Sequence, residues 1–235
     1  MKLGIMQPYF FPYLGYFSLI KEVDRFIVFD TPQFIRHGWM DRNRVLGISG
    51  EPFYVRVALE KHAQKTPVNK IAVKQNNDSQ LKLKAQLTHY KNKAQNYNDV
   101  ITLLEECFYS SYSNLSDLNT IILRKVCKKI GIHTPIEIWS EMALKIEPPS
   151  LPDEWALNIC KSIGARSYVN AINGKSFFDV EKYKKNEVTC RFLDFNPIVY
   201  KQFGGEFVPN LSIIDTLMFC DSNQINEMLH SFKLV

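Results

Sequence analysis

The sequence predicts an α/β fold on a mostly parallel sheet, and three observations carry that expectation. Apolar runs at 3–6 and 25–29 flank a stretch, 17–23, whose apolar residues recur at helical spacing. Buried strands joined through a helix pair in parallel under a covering layer. The alternation returns late in the chain, with a helix closing at Gly164, the segment 167–170, a helix at 180–185 and a strand at 188–193. Hydrophobic residues make up 46% of the chain and charged residues 23%, the balance of a sequence that folds throughout. One α/β domain over 1–235 is expected, with 79–131 as a helical insert.

Each element has a local reason. The first strand stops at Pro8 and the second at Asp30, and strands are read at 52–58 and 68–73 with a polar loop between them. Helical spacing over 79–93, 100–109 and 115–130 defines the insert, whose last helix ends at Gly131 in the manner of a C-cap. A strand at 136–139 leads through the proline-rich stretch 148–152 to a helix opened by Pro152, Asp153 and Glu154, with proline and acids in its first turn. Helices at 212–220 and 224–232 finish the chain.

Composition narrows the function. The five cysteines are scattered and never form C-x-x-C, so buried thiols in a reducing compartment are expected rather than a disulfide framework or zinc knuckle. Histidines 37, 62, 89, 133 and 230 lack metal-ligand spacing, and neither G-x-S-x-G nor G-x-G-x-x-G is present. Gln7 and Pro8 interrupt the N-terminal apolar run too early for a signal sequence. No run approaches the roughly 18–20 apolar residues that span a bilayer, and a cytoplasmic location is expected. A formal charge of +5 does not demand nucleic acid. The lysine clusters at 82–93, 125–129 and 182–185 read as solvated helix faces, with a docking patch for an acidic partner as the alternative.

Four segments can carry chemistry. The stretch 7–17 puts two prolines, one glycine and six aromatics directly after the first strand, where open α/β sheets keep their ligand crevices. Its tyrosines and Gln7 need partners if buried, so a ligand-facing role is favoured over plain packing. The stretch 30–44 offers Arg36, Arg42 and Arg44 as forks for phosphate or carboxylate and Trp39 to stack on a ring. A surface hairpin with solvated charges explains it equally well. Asp30, at a strand end, suits sugar hydroxyls. In 167–175, Asn173-Gly174 signals a turn beside Lys175. In 200–215, Ser212 and Asp215 have capping-box spacing, and structural capping is the favoured reading.

The strings MQPYFFPYLGYFSLI, VDRFIVFD, TPQFIRHGWMDRNRV, YVNAINGKSFFD and FVPNLSIIDTLMF resemble the WbqC-like family from residue 1 to about residue 220. The chain departs from the family pattern at Cys220-Asp221, where an ending of the LMFNCG type is expected. The layout of strand, Pro12-Tyr13-Leu14-Gly15-Tyr16, helix and strand also resembles the H-x-G-H opening of nucleotidylyltransferases, with tyrosines in place of both histidines. The fold this implies is a Rossmann-like, nucleotidylyltransferase-like sheet. A neutral phenol stabilises charge on a phosphate in transit poorly at pH 7.

The WbqC-like resemblance implies bacterial O-antigen or capsule (lipopolysaccharide) biosynthesis, and an acyl or aminoacyl (glycyl) transferase acting on the amine of a nucleotide-linked amino sugar. A non-catalytic nucleotide-sugar scaffold and an ATP-dependent adenylating enzyme remain open beside it. The matching motif positions expected to bind substrate are Gln7, Tyr9, Tyr16, Gln33, Trp39, Arg42, Asn43, Arg44, Asn170, Gly174, Ser212 and Asp215. Asp30, or His37 if turned inward, is expected to take the amine proton, with Tyr13 in the same catalytic set. The co-reactant implied is an acyl or aminoacyl thioester, or ATP, and the partners are a nucleotide-linked sugar and an acyl carrier protein. No metal site is expected, and the oligomeric state stays open.

Overall fold

The computed structural model describes residues 1–74, 78–203 and 205–235, so Gly204 of the segment leading to Asp215 lies outside the described residues. In chain order the elements are β1 Lys2–Met6, α1 Leu14–Glu22, β2 Arg25–Val28, β3 Arg42–Leu46, β4 Pro52–Arg56, α2 Asp78–Leu87, α3 Tyr97–Tyr109, α4 Leu115–Lys129, β5 Ile136–Ile138, α5 Glu154–Ile163, β6 Ser167–Ala171, α6 Val180–Lys185, β7 Thr189–Phe195, α7 Ile213–Phe219, α8 Ser222–Met228 and β8 Phe232–Leu234. The main sheet runs β5-β2-β1-β6-β7-β8. Its pairings are parallel except that β8 runs antiparallel to β7. The chain builds outward from β1 through β2 to β5, then crosses back to β6 on the other side of β1. The order therefore reverses between β1 and β6, where doubly wound sheets open a crevice beyond the strands' carboxyl ends.

Alternation along β1 divides the core. Leu3 and Ile5 pack with Ile27, Tyr168 and the inner faces of α5 and α6 on one side. The opposite face is covered by α1, α4, α7 and the hairpin β3-β4, around Phe17, Phe26, Ile122 and Ile214. Fully burying one such side chain is worth about 1.5–3 kcal/mol, so both faces contribute. Gly131 and Gly164 take left-handed backbone, φ +72 and +69, just past α4 and α5. These are the conformations that stop a helix at glycine.

Three expectations are corrected, and one strand is added. Residues 68–73 form no strand. After Pro67 the chain makes a 3-10 turn at Val68–Lys70, whose amides turn to the carbonyls of Pro32 and Asp30. Residues 42–46 are a strand, paired with β4 outside the main sheet. The helix from residue 79 ends at Leu87, because Tyr90 turns inward to bond Asp215 and the Leu46 amide. The last helix stops at Met228, and Phe232–Leu234 adds an edge strand instead. Among the described residues no helix is long and apolar enough to cross a membrane.

Candidate functional site

The loop after β1 is fixed by its own carbonyls. Tyr16 donates its hydroxyl to the Gln7 carbonyl at 2.8 Å, and the buried Asn119 amide bridges the Pro8 and Met40 carbonyls at 3.0 and 2.8 Å. The Asn43 amide reaches the carbonyls of Phe10 and Phe11, Ser212 Oγ also donates to Phe11, and the Ile213 amide closes on Pro12. Phe11 is held at φ +40 by these contacts. For a bulky residue that is a strained conformation, costing about 1–3 kcal/mol, of the kind that gathers at functional sites. Gly15 is required next, because a Cβ there would lie 2.7 Å from the Phe195 ring at the end of β7.

This loop forms one wall of two cavities that share Met6, Tyr9, Asn170 and Gly174. They meet at the carboxyl ends of β1 and β6, the reversal point of the sheet. A cavity of about 560 Å³ lies toward β7 and the hairpin, faced by Tyr13, Trp39, Arg44, Asn173, Asp194 and Asn210. The other, of about 440 Å³, lies toward β2 and α5 and is apolar, with Phe29, Trp155, Tyr168 and Phe178 in its wall. Both volumes fall in the range that holds a small ligand, about 300–1,000 Å³. The neck between them has no spare room. A Cβ on Gly174 would meet Asn170 Oδ1 at 2.9 Å, while the Asn170 amide donates to the Tyr168 hydroxyl.

The predicted residues separate into three groups. Tyr9, Tyr13, Trp39, Arg44, Asn170 and Gly174 face the polar cavity or the neck, Gln7 faces the apolar one, and Asn43 borders the polar cavity with its amide spent on the Phe10 and Phe11 carbonyls. A second group is engaged within the fold. Arg42 donates to the carbonyls of Gly38 and His37 and lies 4.2 Å over the Tyr54 ring. Both oxygens of buried Asp30 accept from Ser140, Tyr16 is buried, and Ser212 caps the Ile214 amide. Asp215 does not complete a capping box with Ser212. It accepts from Tyr90, Tyr200 and Gln202 inside the protein. Gln33 and His37 form the third group, exposed and outside both cavities, with His37 at φ +62.

Arg44 differs from every other predicted cation. Strand alternation puts it on the same face of β3 as Arg42, with Asn43 turned inward between them. Its Nε is buried without a hydrogen-bond partner among the described residues. Its guanidinium carbon lies 5.8 Å from the centroid of the Trp39 ring, and Asp194 lines the same cavity without forming an ion pair to it. A buried polar group without a partner costs about 1–3 kcal/mol, so the cavity presents an unmet demand for an acceptor. Burial raises the Tyr9 pKa, and burial followed by Tyr9 raises that of Tyr13. Both phenols therefore stay protonated, as donors, through neutral pH.

Asp194, Asn210, Phe29 and Trp155 escaped the sequence reading. Asp194 was accessible to it, since a carboxylate one residue past the expected end of the 188–193 strand stands where crevice ligands lie. Nothing in the sequence tied Trp155, on α5, to the loop after β1.

The family model of the WbqC-like protein family matches residues 7–227, a span containing the whole loop after β1 and both cavities' lining except Ile5 and Met6. The chain belongs to the WbqC-like protein family. Within the range of curated relatives, it is 26% identical over 219 residues, 92% of each chain, to "Uncharacterized protein Rv1507c" of Mycobacterium tuberculosis (strain ATCC 25618 / H37Rv). No solved structure matches the chain. For this WbqC-like chain the site is therefore defined by its own geometry.

Proposed function

We propose that this chain binds a nucleotide-linked amino sugar in the polar cavity and transfers an acyl or aminoacyl group to its amine, within surface-polysaccharide biosynthesis. The observation that carries the reading is the Arg44 guanidinium, whose buried Nε has no hydrogen-bond partner among the described residues and which faces a cavity at the sheet's reversal point. A diphosphate supplies the charged acceptors it lacks. Trp39 and Tyr13 offer ring faces to a base or sugar, and Asn173 and Asn210 offer amides to hydroxyls. Asp194 is the carboxylate in the polar cavity, whereas Asp30 is bound to Ser140 and His37 lies outside. The proton-accepting role accordingly moves to Asp194.

In the transfer, the sugar's neutral amine attacks the carbonyl carbon of a thioester donor. The C–N bond forms, the C–S bond breaks, and the amine's proton passes through Asp194 to the departing sulfur, which leaves as a thiol. Tyr9, protonated at the neck, is placed to donate to the carbonyl oxygen as it gains charge. The adenylating alternative needs charge-stabilising groups where Tyr13 and Tyr16 stand, and Tyr16 is internal.

Calorimetry with a panel of uridine- and thymidine-diphosphate amino sugars, followed by mass spectrometry after adding acyl and aminoacyl thioesters, tests the reading. Binding that Arg44→Gln abolishes, with a product heavier by one acyl group, is the expected result. Binding with no mass gain across the donors leaves a scaffold. No binding to any nucleotide sugar sinks both.

A further inference from the structure

Among the described residues, the apolar chamber has no charged side chain in its wall. Its surface is given by Ile5, Met6, Phe29, Trp155, Tyr168 and Phe178, and Phe29 and Trp155 face each other with ring centroids 5.5 Å apart. Tyr168, a polar atom in this wall, is already satisfied, taking the Asn170 amide and reaching the Ile5 carbonyl at 3.4 Å. The remaining polar side chains are Gln7, Thr31 and the neck residues Tyr9 and Asn170. The chamber therefore asks for an apolar body, and the neck for a polar head.

We propose that this chamber is an acyl site, taking the uncharged apolar chain of a thioester donor and holding its carbonyl at the neck beside Tyr9. The inference rests on the transfer reading above and sharpens it, because it selects an acyl over an aminoacyl donor. An aminoacyl ammonium entering here would lose its water without meeting a carboxylate. A nucleobase would leave most of its edge unpaired against hydrocarbon. An acyl chain is matched along its length, and its carbonyl then points into the polar cavity where the amine attacks. The bonds made and broken are those given above, with the thioester as the only co-reactant.

The test uses the full chain with no nucleotide present and follows quenching of tryptophan fluorescence by N-acetylcysteamine thioesters from acetyl to octanoyl. A Trp155→Phe variant identifies the responding ring. Burial of each methylene predicts affinity rising about fourfold per carbon until the chamber is full. Ala156→Leu, which fills space in the wall, should move the plateau to shorter chains. Phe177→Ala, at an exposed part of the wall, should weaken every chain length by about fivefold to tenfold without unfolding the protein.

Affinity that is flat with chain length, displacement of the acyl probe by uridine, or equal binding of glycyl thioester or tetramethylammonium would each overturn the assignment, the last two by revealing an aminoacyl or cation cage. Arg44→Gln should leave this titration unchanged. A failure of nucleotide-sugar binding is thereby distinguished from a failure of the acyl site.

Discussion

Asp215 and Arg44 are both charged side chains within the fold, yet their surroundings differ completely. Asp215 is fully buried and receives Tyr90 at 2.6 Å, Tyr200 at 2.7 Å and Gln202 at 3.0 Å, while Tyr90 in turn accepts the Leu46 amide. Arg44, whose carbonyl receives the Ser212 amide, leaves its buried Nε without a partner among the described residues. A satisfied buried network pins β3, the turn after α2 and α7 together, whereas the unsatisfied group at the cavity wall pins nothing. Both groups belonged to the same expected binding set, and only their partners tell them apart.

The sharpest way to break this comparison is to remove Asp215. Asp215→Ala strands the Tyr90 and Tyr200 hydroxyls and should lower stability by about 3–5 kcal/mol in urea unfolding. A loss below about 1 kcal/mol would mean the network is not structural. Next comes alkaline titration. Burial, then the Asp215 charge, raises the pKa of Tyr90 and Tyr200, and burial raises those of Tyr16 and Tyr168. The folded state thus holds protons that the unfolded chain releases near pH 10. Stability from these groups is complete below pH 10 and falls above it, by about 1.4 kcal/mol per pH unit for each group until its folded pKa is reached. Ultraviolet absorbance should show phenolate forming together with loss of circular dichroism, whereas independent ionisation in folded protein would contradict the burial.

The arginines give the finer contrast. Arg44→Gln should weaken nucleotide-sugar binding about tenfold to a hundredfold without lowering stability, since it removes no internal hydrogen bond and takes away a buried Nε that lacks a partner among the described residues. Arg42→Gln should do the reverse, costing about 1 kcal/mol through the lost His37 carbonyl and Tyr54 contacts and leaving binding unchanged. Equal effects on binding from the two variants would erase the distinction drawn here.

Much of the sheet was legible because its signals are local. The runs around β1 and β2 and the glycine stops at Gly131 and Gly164 need no distant partner to be read. The strand at 42–46 was hidden by its arginines, since Arg-Asn-Arg-Val-Leu shows apolar character only at one end and becomes a strand by pairing with β4. The site was legible as a neighbourhood but not residue by residue. That Asp30 would be met by Ser140, 110 positions later, or that Arg42 would fold back onto its own turn, depends on tertiary approach. Composition could not separate Arg42 from Arg44, because both lie on one face of one strand.

The hairpin carrying Arg44 belongs to a separate two-stranded sheet, yet it is tied to the main one through Asn43 on the Phe10 and Phe11 carbonyls, Asn119 on Met40 and Pro8, and the Ser212 amide on Arg44 itself. Such bracing makes the crevice a gauge of fixed width, set during folding rather than adjusted on arrival of a ligand. Little entropy then remains to be lost in closing it, and selectivity follows from what fits the gap as built.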